Sequence, residues 1–393
     1  MRRRSRTAAA LTVTLALGLT AAATAPALAD APAAATRAQG PDTEALRAAI
    51  AGLPNADATA ALVRVGGKRG SWKGSSGVRD LVTRRDADPH ARFRAGSVTK
   101  VVTAAVVLQL ASEGEVDLDA PVQRYLPEVF APNADAFAKP ISVRQLLNHT
   151  SGLRPGRALG ETFDELYARR FETLTPQEVA ATSIAKGPAH DPGVRQEYLG
   201  VNYTLLGLLV EKVTGRSYER EATRRVLKAA GMRHSSFPGT DPRLRGPHHR
   251  GYQAVREPDG GTRFVDVTEW NQRDRFAGGD LISTTADLER LTVALFGGGL
   301  VPKPQLEEMF TVPSGIKGAS MSAGLQRYVT PDKRVVWLKT GSRHGYNAVI
   351  AATRDLDVTL VYSVNSTDAK GEDTNPVIQR IIAAALRNAG DAR

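Results

Sequence analysis

The chain is 393 residues long, carries 52 basic against 41 acidic side chains for a formal net charge of +11, and has no cysteine. The lack of cysteine excludes a thiol nucleophile, disulfides, cysteine-ligated zinc and a lipid-modified cysteine. The basic residues are scattered and no nucleic-acid motif accompanies them, so they read as a solvated surface open to loose adsorption on anionic cell-wall polymers.

In chain order, Arg2, Arg3, Arg4 and Arg6 precede an Ala/Leu/Val/Thr run from Ala8, and Ala27-Leu28-Ala29 offers small residues for cleavage. This predicts a secretory signal over 1–29, an exported protein and no membrane anchor after processing. The run is short, diluted with alanine and interrupted by Pro26, unlike a stable span. Residues 30–40, rich in Ala and Pro, read as a disordered lead-in. Leu46, Ile50 and Leu53 have helical spacing over 42–53. Residues 58–65 and 70–80 read as strands joined at Gly66-Gly67.

From Ser97 the pattern turns helical, and Val98, Val101, Val102, Ala105, Val106 and Leu108 make a helix apolar almost all round, which has to be buried. Residues 121–281 hold short helices and long Pro/Gly-rich loops, with clear helices at 202–214 and, just beyond, 283–296. Residues 245–263 read as an exposed loop or weak hairpin with His248-His249 as a solvated pair. After Ser320 strands return at 324–330, 334–339, 346–352 and 358–364, followed by a helix over 375–387 with Ile378, Ile381, Ile382 and Leu386 on one side. Strands at both ends with helices between predict an α/β (α+β) fold, in which one sheet is assembled from the two chain ends and a mainly helical domain is inserted.

A serine followed three residues later by a lysine brings hydroxyl and amine to one helix face, and a poorly solvated lysine serves as a base. The spacing occurs at Ser97-Val98-Thr99-Lys100, Ser183-Ile184-Ala185-Lys186 and Ser314-Gly315-Ile316-Lys317. Gly187-Pro188 stops the second, and the third lies in a Pro/Gly loop. Only Ser97 follows an extended segment and a Gly96 hinge and opens a long apolar helix, whose first amides favour an oxyanion. A plain serine cap with a surface lysine is the alternative, weakened by a charge beside so apolar a helix.

The stretch Phe93-Arg94-Ala95-Gly96-Ser97-Val98-Thr99-Lys100 resembles the nucleophile motif of the serine β-lactamase-like and penicillin-binding superfamily. The likeness continues in Leu146-Leu147-Asn148-His149-Thr150-Ser151-Gly152-Leu153, Leu205-Leu206-Gly207, Ala277-Gly278-Gly279 and Lys339-Thr340-Gly341 with Gly345-Tyr346, and is nearest to secreted actinobacterial D-alanyl-D-alanine carboxypeptidases and class C β-lactamases. It implies an antiparallel sheet flanked by terminal helices, within one catalytic domain over 41–393: a sheet part over about 41–90 and 282–393, and a helical part over about 91–281.

The resemblance also implies roles. Ser97 is acylated, Lys100 takes or relays its proton, and Tyr198 shuttles protons to the leaving group. Lys339 and Thr340 grip a substrate carboxylate, Gly341 lets the substrate approach, and the backbone N–H groups of Ser97 and Ser342 form the oxyanion hole. Read alone, Tyr198 is an aromatic at a helix start and Lys339 an edge-strand lysine. Two positions depart from the family pattern. The second motif usually reads Tyr-Ser-Asn and here reads Tyr198-Leu199-Gly200, so Gly200 offers only backbone to a substrate amide. The place of a carboxylate-binding arginine is taken by Gln326.

No Gly-x-Ser-x-Gly elbow or HExxH is present. His344 is placed at the pocket rim and His149 within the helical part. The expected activity is D-alanyl-D-alanine carboxypeptidation of peptidoglycan stem peptides by a secreted monomer without metal or cofactor. The alternatives are a class C-like β-lactamase with a β-lactam as substrate, a promiscuous esterase, and a weakly active penicillin-recognising sensor.

Overall fold

The computed structural model describes residues 40–386, so the leader and the lead-in up to residue 39 lie outside the described residues. Helix α1 (Thr43–Ala49) starts where the Asp42 carboxylate accepts from Ala45 N. It stops short of the 42–53 expectation, ahead of Gly52 (φ 74°) and Pro54, which cannot continue a helix.

The sheet strands are β1 (Ala58–Gly66), β2 (Trp72–Gly77), β3 (Gln326–Val329), β4 (Val335–Arg343), β5 (Tyr346–Thr353) and β6 (Thr359–Ser366). They lie in the order β2-β1-β6-β5-β4-β3, antiparallel throughout. The two chain ends therefore meet in mid-sheet, where Leu62 of β1 pairs with Ser363 of β6.

Both faces of this sheet are covered. On one, Leu46 of α1 and Val377 and Ile381 of α5 (Pro376–Leu386) pack on Val63, Leu360 and Val364. On the other lie α2 (Thr99–Ser112), α3 (Gly200–Thr214) and α4 (Thr285–Phe296), whose Val101, Leu205 and Leu291 join Trp337, Ile350 and Val361 in one core. Double coverage explains why β6 is buried at every position and does not alternate. Residues 99–108 of α2 are all buried, as the all-round apolar pattern requires. Each Val or Leu so enclosed contributes about 1.5–3 kcal/mol.

A two-residue strand pair, Phe93–Arg94 with Ile282–Ser283, brackets the helical part and delivers the chain to Ser97. Residues 252–256 and 262–266 form an antiparallel hairpin. His249 before it is not solvated: it is buried, its Nε2 accepts from Asp88 N at 2.9 Å, and its Nδ1 faces Asn365 Oδ1 at 3.1 Å. Burial lowers its pKa to about 4. The partners that make this burial tolerable come from distant segments, so a window with few apolar residues could not reveal it.

Candidate active site

Ser97 lies in a single 3-10 turn, Gly96–Val98, immediately before α2. Lys100, in the first turn of α2, is buried, and its Nζ donates to Gly278 O at 2.6 Å and lies 3.5 Å from Ser97 Oγ. Burial, opposed by Tyr198 and reinforced by Lys339, lowers the pKa of the amine.

Tyr198 stands just ahead of α3. Lys100 Nζ lies 5.1 Å and Lys339 Nζ 4.8 Å from its ring centre. Its hydroxyl is buried with no hydrogen-bond partner among the described residues. Burial pushes this phenol up, but the two ammonium groups outweigh it and bring its pKa down to about 7. Under the ring sits His149, with centroids 4.6 Å apart. His149 Nδ1 accepts from Leu199 N (3.3 Å) and faces Asn202 Nδ2 (3.1 Å), and burial holds the imidazole neutral. Asn202 Oδ1 in turn accepts from Ser151 Oγ at 2.7 Å. That asparagine is wholly committed beneath Tyr198 and does not replace the side chain missing at Gly200.

Strand β4 closes the site. The two-residue turn His344-Gly345 makes Arg343–Tyr346 the closing pair of the β4–β5 hairpin. Hydrogen-bonded pairs alternate along antiparallel strands, so the N–H and C=O of Thr340 and Ser342 point away from β5. Strand β3 pairs only as far as Leu338, which leaves that edge free beside Ser97. Contact is close: a Cβ on Gly341 would lie 1.9 Å from Ala95 O, and one on Gly96 would lie 2.6 Å from Ser342 N. Gly341→Ala is accordingly expected to destabilise the fold by about 1–3 kcal/mol and to abolish activity, checked by urea unfolding beside an acylation assay.

Ser97, Lys100, Tyr198, Gly200 and Ser342 line one cavity of about 290 Å³. Lys339, Thr340 and Gly341 are not among its lining residues: Gly341 packs against Ala95, Lys339 Nζ sits over the Tyr198 ring and donates to Thr340 O at 3.1 Å, and Thr340 is exposed. The cavity is also lined by Gly278, Asp274, Arg275, Arg343 and Lys370. Of these, sequence reasoning touched only Gly278, as part of a resemblance; a lysine acceptor that is a backbone carbonyl has no side-chain signature. Ser183 Oγ donates to Arg154 O, and Lys186 Nζ to Pro155 O at 2.7 Å, so the second Ser-x-x-Lys ties down a loop. Gln326 Nε2 donates to Ser320 Oγ at 3.3 Å instead of entering the cavity. His344 is not on the rim: it stacks on Trp270 (4.9 Å, 22°), and burial lowers its pKa to about 3.

A family model described as Beta-lactamase matches residues 46–384. The chain is 26% identical over 294 residues to a Bacillus subtilis (strain 168) protein named as a penicillin-binding protein, PbpX, covering 74% of this chain and 67% of that one. It spans 40% of the length of other relatives, which reach 31% identity over 214 residues. Among solved structures, a D-stereospecific amidohydrolase from Streptomyces sp. superposes with a TM-score of 0.74 at 30% identity, covering 88% of this chain and 99% of that one. A penicillin-binding protein homologue from Pyrococcus abyssi superposes at 0.69 with 24% identity over 84% of this chain and 73% of its own. That protein is described as octameric. With a family match across most of its length and a structural relative covered almost end to end, the chain belongs to the Beta-lactamase family of serine hydrolases.

Proposed function

We propose that the protein is an exported D-alanyl-D-alanine carboxypeptidase that works through an acyl-enzyme on Ser97. One observation carries this reading: Ser97 Oγ, the desolvated Lys100 amine 3.5 Å away and the orphan Tyr198 hydroxyl share one cavity beside a strand edge that β3 leaves uncovered. Residues 41–393 are taken as the catalytic unit, and the Arg-rich leader over 1–29 supports export.

Ser97 Oγ attacks the carbonyl of the penultimate D-residue while its proton passes to Lys100 or Tyr198. The tetrahedral oxyanion is held by the N–H groups of Ser97 and Ser342. The C–N bond breaks, the proton goes to the departing amine by way of Tyr198, and an ester on Ser97 remains. Water then adds to that ester, gives its proton to the same pair, and Ser97 leaves as the hydroxyl.

A second reading, a D-amide or ester hydrolase, is favoured by Gly200, which presents no side-chain amide to a peptide substrate, and by the likeness to the D-stereospecific amidohydrolase. A Cβ on Gly200 would meet nothing within 4 Å. Gly200→Asn should therefore fold normally and raise peptide turnover relative to ester turnover about tenfold, for one recovered charge-free contact and better substrate alignment. The test of function is Ser97-dependent release of D-alanine from a D-Ala-D-Ala peptide, run beside a chromogenic cephalosporin and an aryl ester. Ester cleavage without D-alanine release would select the second reading; fast cephalosporin turnover would select a β-lactamase; acylation without turnover, a sensor.

A further inference from the structure

Arg343 is a guanidinium that the mechanism above does not use. It is 5% exposed, it lines the cavity, and its Nε is buried without a partner among the described residues. Side chains alternate along a strand, so Lys339, Gly341 and Arg343 share one face of β4, with about 6.8 Å between successive members. Gly341 packs against Ala95 and Ser97. Lys339 and Arg343 thus stand on opposite sides of the nucleophile.

Besides the catalytic Lys100 and the exposed Arg157, two further cations join Arg343 at the cavity wall, Arg275 and Lys370. Asp274, the one acid of that wall among the described residues, pairs with Arg275 at 3.0 Å, and its Oδ1 is buried without a partner among them. Lys370 comes from the loop between β6 and α5, and its Nζ donates to Ser342 O at 2.9 Å. Ser342 O belongs to the free edge of β4, so this ammonium occupies an acceptor that an added substrate strand would otherwise take. Burial disfavours the charged form of Arg343, and the neighbouring cations Arg275 and Lys370 crowd the same wall. A bound anion would relieve that crowding.

We propose that Arg343, Lys370 and Arg275 form an anion subsite that receives a carboxylate on the acyl part of the substrate, opposite the Lys339 side of Ser97. The assignment of sides rests on the carboxypeptidase reading, in which the leaving D-alanine carboxylate goes to Lys339. Preferred donors then carry an acidic group upstream of the scissile carbonyl, as an acidic peptide side chain or a dicarboxylate cap does. This explains why the cleft spends a backbone acceptor on a lysine: charge, in place of strand pairing, orients the acyl portion.

The test compares Ser97 acylation rates for two D-alanyl thioesters that differ only in the cap, succinyl against its methyl ester. Thioesters serve because their reaction does not require peptidase activity, so the subsite is judged even where D-alanine release fails. The acid cap is expected to react roughly tenfold faster, the preference to shrink at high salt, and the ratio to fall to about 1 in Lys370→Ala and in Arg343→Met. Lys370 is at the surface, so its variant reports even if the buried Arg343 cannot be replaced without unfolding. Equal rates for the two caps in the unaltered protein, or a preference that persists in Lys370→Ala, would overturn the subsite. Failure of Ser97 to react with either ester would overturn the subsite and the function together.

Discussion

Ser97→Ala should lower turnover of every substrate by about 10⁶-fold, the loss seen when a nucleophile acting as part of a unit is removed. The size follows from what remains. Without Oγ no ester forms, and the Lys100 amine, already engaged by Gly278 O at 2.6 Å, is left to activate water from a position built for a hydroxyl. The other two Ser-x-x-Lys pairs offer no substitute, since Ser183 is buried against Arg154 O and Ser314 sits in an irregular loop. Ser183→Ala should therefore leave acylation at the level of the unaltered protein. Steady-state hydrolysis of an activated ester checks both variants, with circular dichroism to show that each is folded. A Ser97→Ala protein retaining a tenth of the activity would move the nucleophile elsewhere.

The second large effect belongs to Tyr198. Replacing it with phenylalanine keeps the ring above His149 but removes the hydroxyl, and should lower acylation about 10²–10⁴-fold. It should also change the shape of the pH profile. The phenol is held down to about 7 because the Lys100 and Lys339 ammonium charges outweigh its burial. A base works when deprotonated, so acylation by the unaltered enzyme should rise as pH passes upward through about 7 and level off above it. In Tyr198→Phe that inflection should disappear. Lys339→Met removes one of the two opposing charges and should carry the inflection to higher pH. This shift distinguishes an electrostatic role from simple packing, because a packing defect lowers the rate without moving the midpoint.

Much of this architecture was legible in the chain because it rests on periodicity. The all-round apolar run from Val98 to Leu108 demanded burial, and the strands after Ser320 with the early pair at 58–80 demanded a sheet made from both ends; both are present. The length of β4 was not legible. Its pattern weakens at Lys339, yet the strand runs to Arg343, because the His344-Gly345 turn and pairing with β5 hold it where side-chain alternation says little. For the site, the nucleophile region was readable from a hinge, a helix start and a resemblance. The support beneath it was hidden for a physical reason. His149, Asn202 and Ser151 form a buried polar chain in which Asn202 lies 51 residues from Ser151 and 53 from His149, so no local window links it to them. His249 and His344 misled in the same way, since partners outside their own segments bury the first and half-bury the second. Arg343 and Lys370 look like ordinary surface charges in sequence, and only the fold turns them towards the cavity.

The most direct measurement of the central claim is intact-protein mass spectrometry of the protein after brief exposure to a penicillin and an acid quench, followed by peptide mapping. The account predicts one added acyl mass, carried by the peptide containing Ser97 and absent from Ser97→Ala. An adduct on any other residue, or an adduct of equal yield in Ser97→Ala, would contradict it.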